Sequence, residues 1–236
     1  MKNLLLLLTI LLAPLLSAQN EIQPGDVLPL RLDTALNASR IKPGKVIRAT
    51  VMQSIPGTTI HKGAHVLGHV VSATPARLEL RFDTLQTKQS RIPLTANLRA
   101  LASPLEVDQA QMPENGGDRG LPSVLDQTTR QIGGEQVYRG GGHVARGITT
   151  VGEPTADGAL GRLNANPPCR GSIAGNDRPQ ALWIFSTDAC GLYGYDDLTV
   201  ENSGRSDPVG TIVLASPTGK INIRTGSAFL LRIQSS

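Results

Sequence analysis

Glycine and proline punctuate this chain so densely that long helices are excluded: 25 Gly and 16 Pro are spread along 236 residues. Each breaks a helix interior, Gly through backbone entropy and Pro through its missing N–H. Between these breaks, apolar residues recur with period two, the spacing of a strand buried on one face. Leu78, Leu80 and Phe82 alternate with Arg77, Glu79, Arg81 and Asp83, the cleanest such pattern in the sequence. Leu28, Leu30 and Leu32 form a second inward set, Ile47, Ala49 and Val51 a third, and residues 65–73 a further strand. Ile92, Leu94, Ala96 and Leu98 predict a fifth, which Pro93 assigns to a sheet edge because Pro offers no ladder donor. Turns at Ile41-Lys42-Pro43-Gly44, Ile55-Pro56-Gly57 and His61-Lys62-Gly63-Ala64 separate the strands. Short strands at this spacing predict an all-β fold, a small barrel or sandwich.

The composition changes near Ser103. Residues 104–135 read as a linker or surface excursion, with two helical turns expected within 124–132. Strand-like segments resume at 144–151, 182–185, 198–200 and 211–214. Ser216-Pro217-Thr218-Gly219 predicts a hairpin turn, with Ile221 and Ile223 opening its return strand. Phe229, Leu231 and Ile233 belong to a last strand, expected to close against the first and remove two free edges. The expected organisation is a signal peptide at 1–18 and a barrel or sandwich part at 19–103. The excursion at 104–135, a disulfide-containing β insertion or second β subdomain at 136–210, and a closing hairpin and terminal strand at 211–236 follow.

Residues 1–18 order a short basic start (Lys2), an apolar run broken only by Thr9 and Pro14, and the small pair Ser17-Ala18. That order predicts a secretory signal peptide cleaved near Ala18, and a periplasmic or extracellular protein. The run is shorter than the roughly 20 apolar residues of a membrane span, and no later stretch qualifies. The formal charge is +4, but its arginines are scattered singly (Arg31, Arg48, Arg81, Arg139), which argues against a nucleic-acid face. Cys169 and Cys190 predict a structural disulfide in an oxidising compartment. In the chain-entropy model, closing a loop of that size contributes about 3 kcal/mol.

No catalytic pattern is legible. His61, His65 and His69 recur every fourth residue, but Gly63 and Gly68 oppose a helix, and exposed strand histidines are the better reading than a metal site. The run from Tyr138 through Gly140-Gly141-Gly142 to His143 lacks the Gly-Lys-Ser/Thr ending of a phosphate loop. Asp188, Asp196 and Asp197 match no metal-binding loop. The chain has 3 Phe, 1 Trp and 3 Tyr, and Trp183, Phe185, Tyr193 and Tyr195 lie close together. Trp183, Tyr193 and Tyr195 are the candidate binding residues, a stacking face for a sugar or a partner protein. The favoured reading is that these aromatics fill a small second core, stapled by the disulfide. No cofactor and no metal is expected.

The strands at 27–33 and 45–52 and the stretch Ile60-His61-Lys62-Gly63-Ala64-His65-Val66-Leu67-Gly68 carry a family resemblance. Residues 25–98, with the last strand at 226–233, resemble the C-terminal β-barrel domain of TrbI-type subunits of conjugation and type IV secretion machines. That stretch looks like the family's Ile-Pro-x-Gly-x-x-Leu-x-Gly turn, with His61 in place of Pro. Residues 104–210 have no counterpart. The whole chain also looks like secreted bacterial proteins without an assigned function. The resemblance implies a barrel scaffold in the cell envelope. The expected role is non-enzymatic binding or structural assembly there, with envelope proteins or surface glycans as partners. A carbohydrate-binding protein and a secreted hydrolase with a carboxylate pair are the alternatives.

Overall fold

The computed structural model describes residues 22–115, 127–164 and 178–235. The expected leader and Cys169 lie outside them. The chain opens with β1 (Val27–Leu32), β2 (Leu36–Asn37), β3 (Val46–Val51), β4 (His65–Thr74), β5 (Arg77–Gln86), β6 (Arg91–Pro93) and β7 (Ala96–Ala102). The helix α1 (Pro104–Gln111) then leads to β8 (Glu114–Asn115), β9 (Gln127–Arg130), β10 (Gln136–Tyr138), β11 (His143–Arg146), β12 (Thr149–Thr155), β13 (Gly158–Gly161) and β14 (Gln180–Ala181). The last strands are β15 (Gly191–Tyr193), β16 (Thr199–Ser203), β17 (Thr211–Ala215), β18 (Asn222–Ile223) and β19 (Ala228–Ile233).

Nine strands form a nearly closed barrel in the order β15-β7-β19-β1-β3-β4-β5-β17-β16, and β6 hangs on β5. The expected all-β barrel is therefore present. The last strand closes on the first, with Leu28 opposite Leu231 and Leu30 opposite Phe229. The two ends of the sheet, β15 and β16, lie beside each other without forming a ladder. Alternation explains the closed shape: the inward sets of β1, β3, β5 and β19 are buried together. They fill the barrel with side chains, as expected at this strand number. Phe82 and Phe229 meet inside edge to face, with ring centroids 5.5 Å apart and planes at 71°.

A second sheet, β14-β13-β12-β11-β10-β9-β8, is an antiparallel meander. It stands against the outer face of β1, β19 and β7. There Val27, Ala100, Ala102, Ala228 and Leu230 form a second core with Val107 and Ala110 of α1 and with Ile132, Leu182, Trp183, Ile184 and Phe185. Ala100 and Ala102 of β7 and Ala228 of β19 give it small side chains. Both faces of those strands are consequently buried, and β7 is covered along its whole length. No described helix is long and apolar enough to cross a membrane.

Several local expectations change. The strand expected across 92–98 divides into β6 and β7, and Pro93 sits on β6, which pairs with β5 alone. The excursion begins with α1, whose Ser103 caps the helix by accepting from Glu106 N at 3.4 Å, with Pro104 in its first turn. Within the helix expected at 124–132, residues 127–130 are β9 and Ile132 bridges Phe185; the start of that range lies outside the described residues. Residues 144–151 turn back at Gly147 (φ +59°) to give the β11–β12 hairpin. Residues 182–185 are not a strand, because Phe185 N donates back to Leu182 O at 2.9 Å. The return strand after Ser216 does not pair with β17: β18 pairs with β2 instead.

Candidate functional site

The densest long-range chemistry lies where the second sheet meets the barrel. Trp183 is the one non-glycine at positive φ (52°) among the described residues. A side chain in that region costs backbone energy, which the surroundings must offset. Gln53 holds it there and Gly158 makes room for it. Trp183 N donates to Gln53 Oε1, from the loop after β3. Gln53 Nε2 donates in turn to Ala159 O at 3.0 Å and Thr155 Oγ1 at 3.2 Å, so one barrel amide grips the β12–β13 turn. Gly158 supplies the space: a Cβ there would stand 2.4 Å from Trp183 Cα and 2.7 Å from Trp183 O.

Above this turn is a cleft of about 270 Å³ lined by Met52, Lys62, Gln111, Gln131, Arg139 and Trp183, among others. It sits where barrel, helix and second sheet converge. Lys62 Nζ pairs with Asp157 at 2.7 Å across the rim, and Arg139 Nη1 donates to Thr155 O at 2.6 Å. Gln131 is 3% exposed. Its Nε2 faces Trp183 O at 3.4 Å, and its Oε1 has no partner among the described residues. An unmet buried acceptor costs about 1–3 kcal/mol, so it marks a place where a donor would be welcome.

A buried polar network fastens the same junction from the other side. The Gly133-Gly134 turn directs Glu135 inward, with Gln131 N donating to Glu135 O at 2.7 Å. The Glu135 carboxylate is 1% exposed; it accepts from Arg146 Nη2 at 2.7 Å, from Thr187 N at 3.0 Å and from the Thr187 hydroxyl. Arg146 also reaches Asp188 at 2.8 Å. Arg99 arrives from the barrel at a β7 bulge, where the register with β19 skips one residue, and donates to Asn164 O at 3.0 Å and Thr187 O at 3.1 Å. Burial, and then the neighbouring Arg232 charge, lower the Arg99 pKa to about 10. The unfolded chain holds that proton more tightly, so this group opposes folding at neutral pH, and the opposition is relieved only as pH rises past about 10. The first and last ends of the junction are joined by Arg178 with Asp26, and by Val27 N donating to Gln180 Oε1 at 3.2 Å.

The three aromatic candidates are not brought onto one surface. Trp183 is 5% exposed and packs in the second core, against which Tyr193 leans. Tyr195 packs on the barrel core instead, and its hydroxyl meets Ser227 Oγ at 2.7 Å. Burial raises the Tyr195 pKa, partly offset by that hydrogen bond. No ring pair joins Trp183, Tyr193 and Tyr195 among the described residues. Phe185 shares the second core with Trp183 because the left-handed Trp183 abolishes the period-two alternation of a strand. Cys190 N donates to the Tyr193 hydroxyl at 3.0 Å; its expected partner, Cys169, lies outside the described residues.

The histidines also separate. His65 and His69 share the outer face of β4, where His69 Nδ1 pairs with Asp83 at 2.7 Å and His65 Nδ1 faces Thr50 Oγ1 at 3.4 Å, while His61 lies in the preceding turn. No group of three or more metal-ligating side chains occurs among the described residues. Gln53, Gln131, Glu135 and Gly158, which build the junction, carried no signal in the sequence, since their partners are far away in the chain. Ser103-Pro104-Leu105-Glu106 did carry one, a capping box with Pro at the first helical position. Comparison with protein-family models, with curated proteins and with solved structures finds no match for this chain.

Proposed function

We propose that the chain is an exported cell-envelope β protein that acts by binding or structural assembly, with the junction cleft as its contact site. The observation that carries this reading is the left-handed Trp183, held by Gln53 and Gly158 at the base of that cleft. Strain of this kind is maintained where geometry matters more than stability. The leader at 1–18 and a Cys169–Cys190 disulfide belong to the same reading, since both suit an oxidising compartment. The TrbI-type likeness of residues 25–98 would put such a barrel in the envelope. A protein partner is favoured over a surface glycan, because the three rings do not share a face on which a sugar could stack.

Expression with a photo-crosslinking residue at Gln111, on the cleft rim, tests this reading against the same residue at the exposed Val46 of β3. Gln111 should give a discrete adduct with an envelope component, and Val46 should not. The recovered protein should begin at Gln19 and weigh two hydrogen atoms less than its reduced form. Identical adducts from both positions, none from Gln111, or an intact leader would overturn it.

A further inference from the structure

A second cleft lies at one end of the barrel, away from Trp183. It measures about 430 Å³ and is lined by His61, Lys62, His65, Gln86, Lys88 and Gln89, with Thr59 and Thr87 beside them. Its volume falls within the usual range for small-molecule sites, as those of two other clefts, about 210 and 270 Å³, do not. Its walls are two built turns. Register places His65 opposite Gln86, so the turn before β4 and the turn after β5 stand side by side. In the first, Gly63 N donates to Val51 O at 2.8 Å and Lys62 N to Ser54 Oγ at 3.1 Å. In the second, Thr87 Oγ1 accepts from Ser90 N at 3.0 Å and Gln89 N at 3.2 Å, which fixes the loop that carries Lys88.

The charge is one-sided. Two lysines and two imidazoles line the cleft, and no carboxylate does. Two acids contact groups at its border. Asp157 pairs with Lys62, and Asp33 accepts the Thr50 hydroxyl proton at 2.7 Å. Because Thr50 gives its proton to Asp33, its oxygen is left to accept from His65 Nδ1–H, and Nε2 is then the nitrogen that can accept from a ligand hydroxyl. The amides of Gln86 and Gln89 and the hydroxyl of Thr59 match the hydroxyls of a polyol, and the lysine methylenes supply apolar wall.

We infer that this cleft binds a sugar carrying a phosphate or carboxylate group. Its volume exceeds what a bare ion needs, and Lys88, which has no carboxylate partner among the described residues, is the cation that a charged group on the ligand would meet. The site is distinct from the junction cleft, although Lys62 borders both.

The test is a titration of the full mature protein at low salt, followed by amide NMR shifts. Glucose 6-phosphate and glucuronate are the charged probes, and glucose, inorganic phosphate and phosphatidylglycerol vesicles are the comparisons. At least one charged sugar should shift residues 59–65 and 86–89 and bind about tenfold more tightly than glucose or phosphate alone. Lys88→Glu should weaken that binding about tenfold with unchanged thermal stability, since Lys88 is exposed, and Lys88→Arg should retain it. Equal binding of glucose, equal binding of phosphate, binding to vesicles alone, shifts elsewhere, or an unaffected Lys88→Glu would each overturn the inference.

Discussion

Gly158→Ala should destabilise the protein by about 3 kcal/mol, the upper end for forcing atoms into a packed site. For a chain of this size that corresponds to a fall in Tm of roughly 6–12 °C. The reason is steric. A Cβ at 158 would overlap Trp183 Cα and O and come within 2.9 Å of Gln53 Oε1, and two of those three atoms are backbone. Relief requires moving the Trp183 turn, which breaks its bond to Gln53. The fluorescence of Trp183, the chain's single tryptophan, should therefore shift toward the red in the variant. Gly219→Ala is the control for a positive φ without contact: Gly219 has φ +68°, against +157° at Gly158, and a Cβ there meets nothing within 4 Å. A Gly158→Ala protein that melts with Gly219→Ala would show that the contact is not fixed.

Glu135→Ala should cost about 2–3 kcal/mol by denaturant unfolding, and Glu135→Gln about 1. Alanine removes the acceptor of Thr187 N and of the Thr187 hydroxyl, both buried, and leaves a small void. The loss falls short of a fully buried ion pair because Arg146 is 42% exposed and keeps Asp188. Glutamine keeps an oxygen for Thr187 N; its amide nitrogen then faces Arg146, which is half-exposed and can stay with Asp188, so the cost is smaller than for alanine. Equal losses for the two variants would mean that charge, rather than acceptor geometry, sets the contribution.

How much of this was legible depends on whether a residue's partner is near in sequence or in pattern. β5 was legible because one face is buried and the other is wet, so Leu78, Leu80 and Phe82 stand out. β7 was legible only in its first half, through Ala96 and Leu98; beyond them the second core covers its outer face and the alternation vanishes. Its Arg99 gives no hint of the barrel-to-insertion contacts it makes, to Asn164 and Thr187. The helix α1 could have been read from Ser103, Pro104 and Glu106, since capping is local. Trp183 reads as a strand residue, and its left-handed backbone is held by Gln53, from a distant loop, and accommodated by Gly158. The candidate site was thus half visible: its aromatic residue could be picked out, but the groups that position it could not.

The segments that flank the second sheet are joined to the barrel through a shared core and a common polar network, so that Trp183 and its cleft should be as stable as the barrel. Equilibrium unfolding in urea, followed by Trp183 fluorescence and by far-ultraviolet circular dichroism, tests it most directly. Coincident transitions with the same midpoint and slope are expected, because Val27, Ala100 and Leu230 of the barrel share one core with Trp183. A fluorescence transition completed at lower urea, while the strand signal persists, would show that the junction opens independently of the barrel.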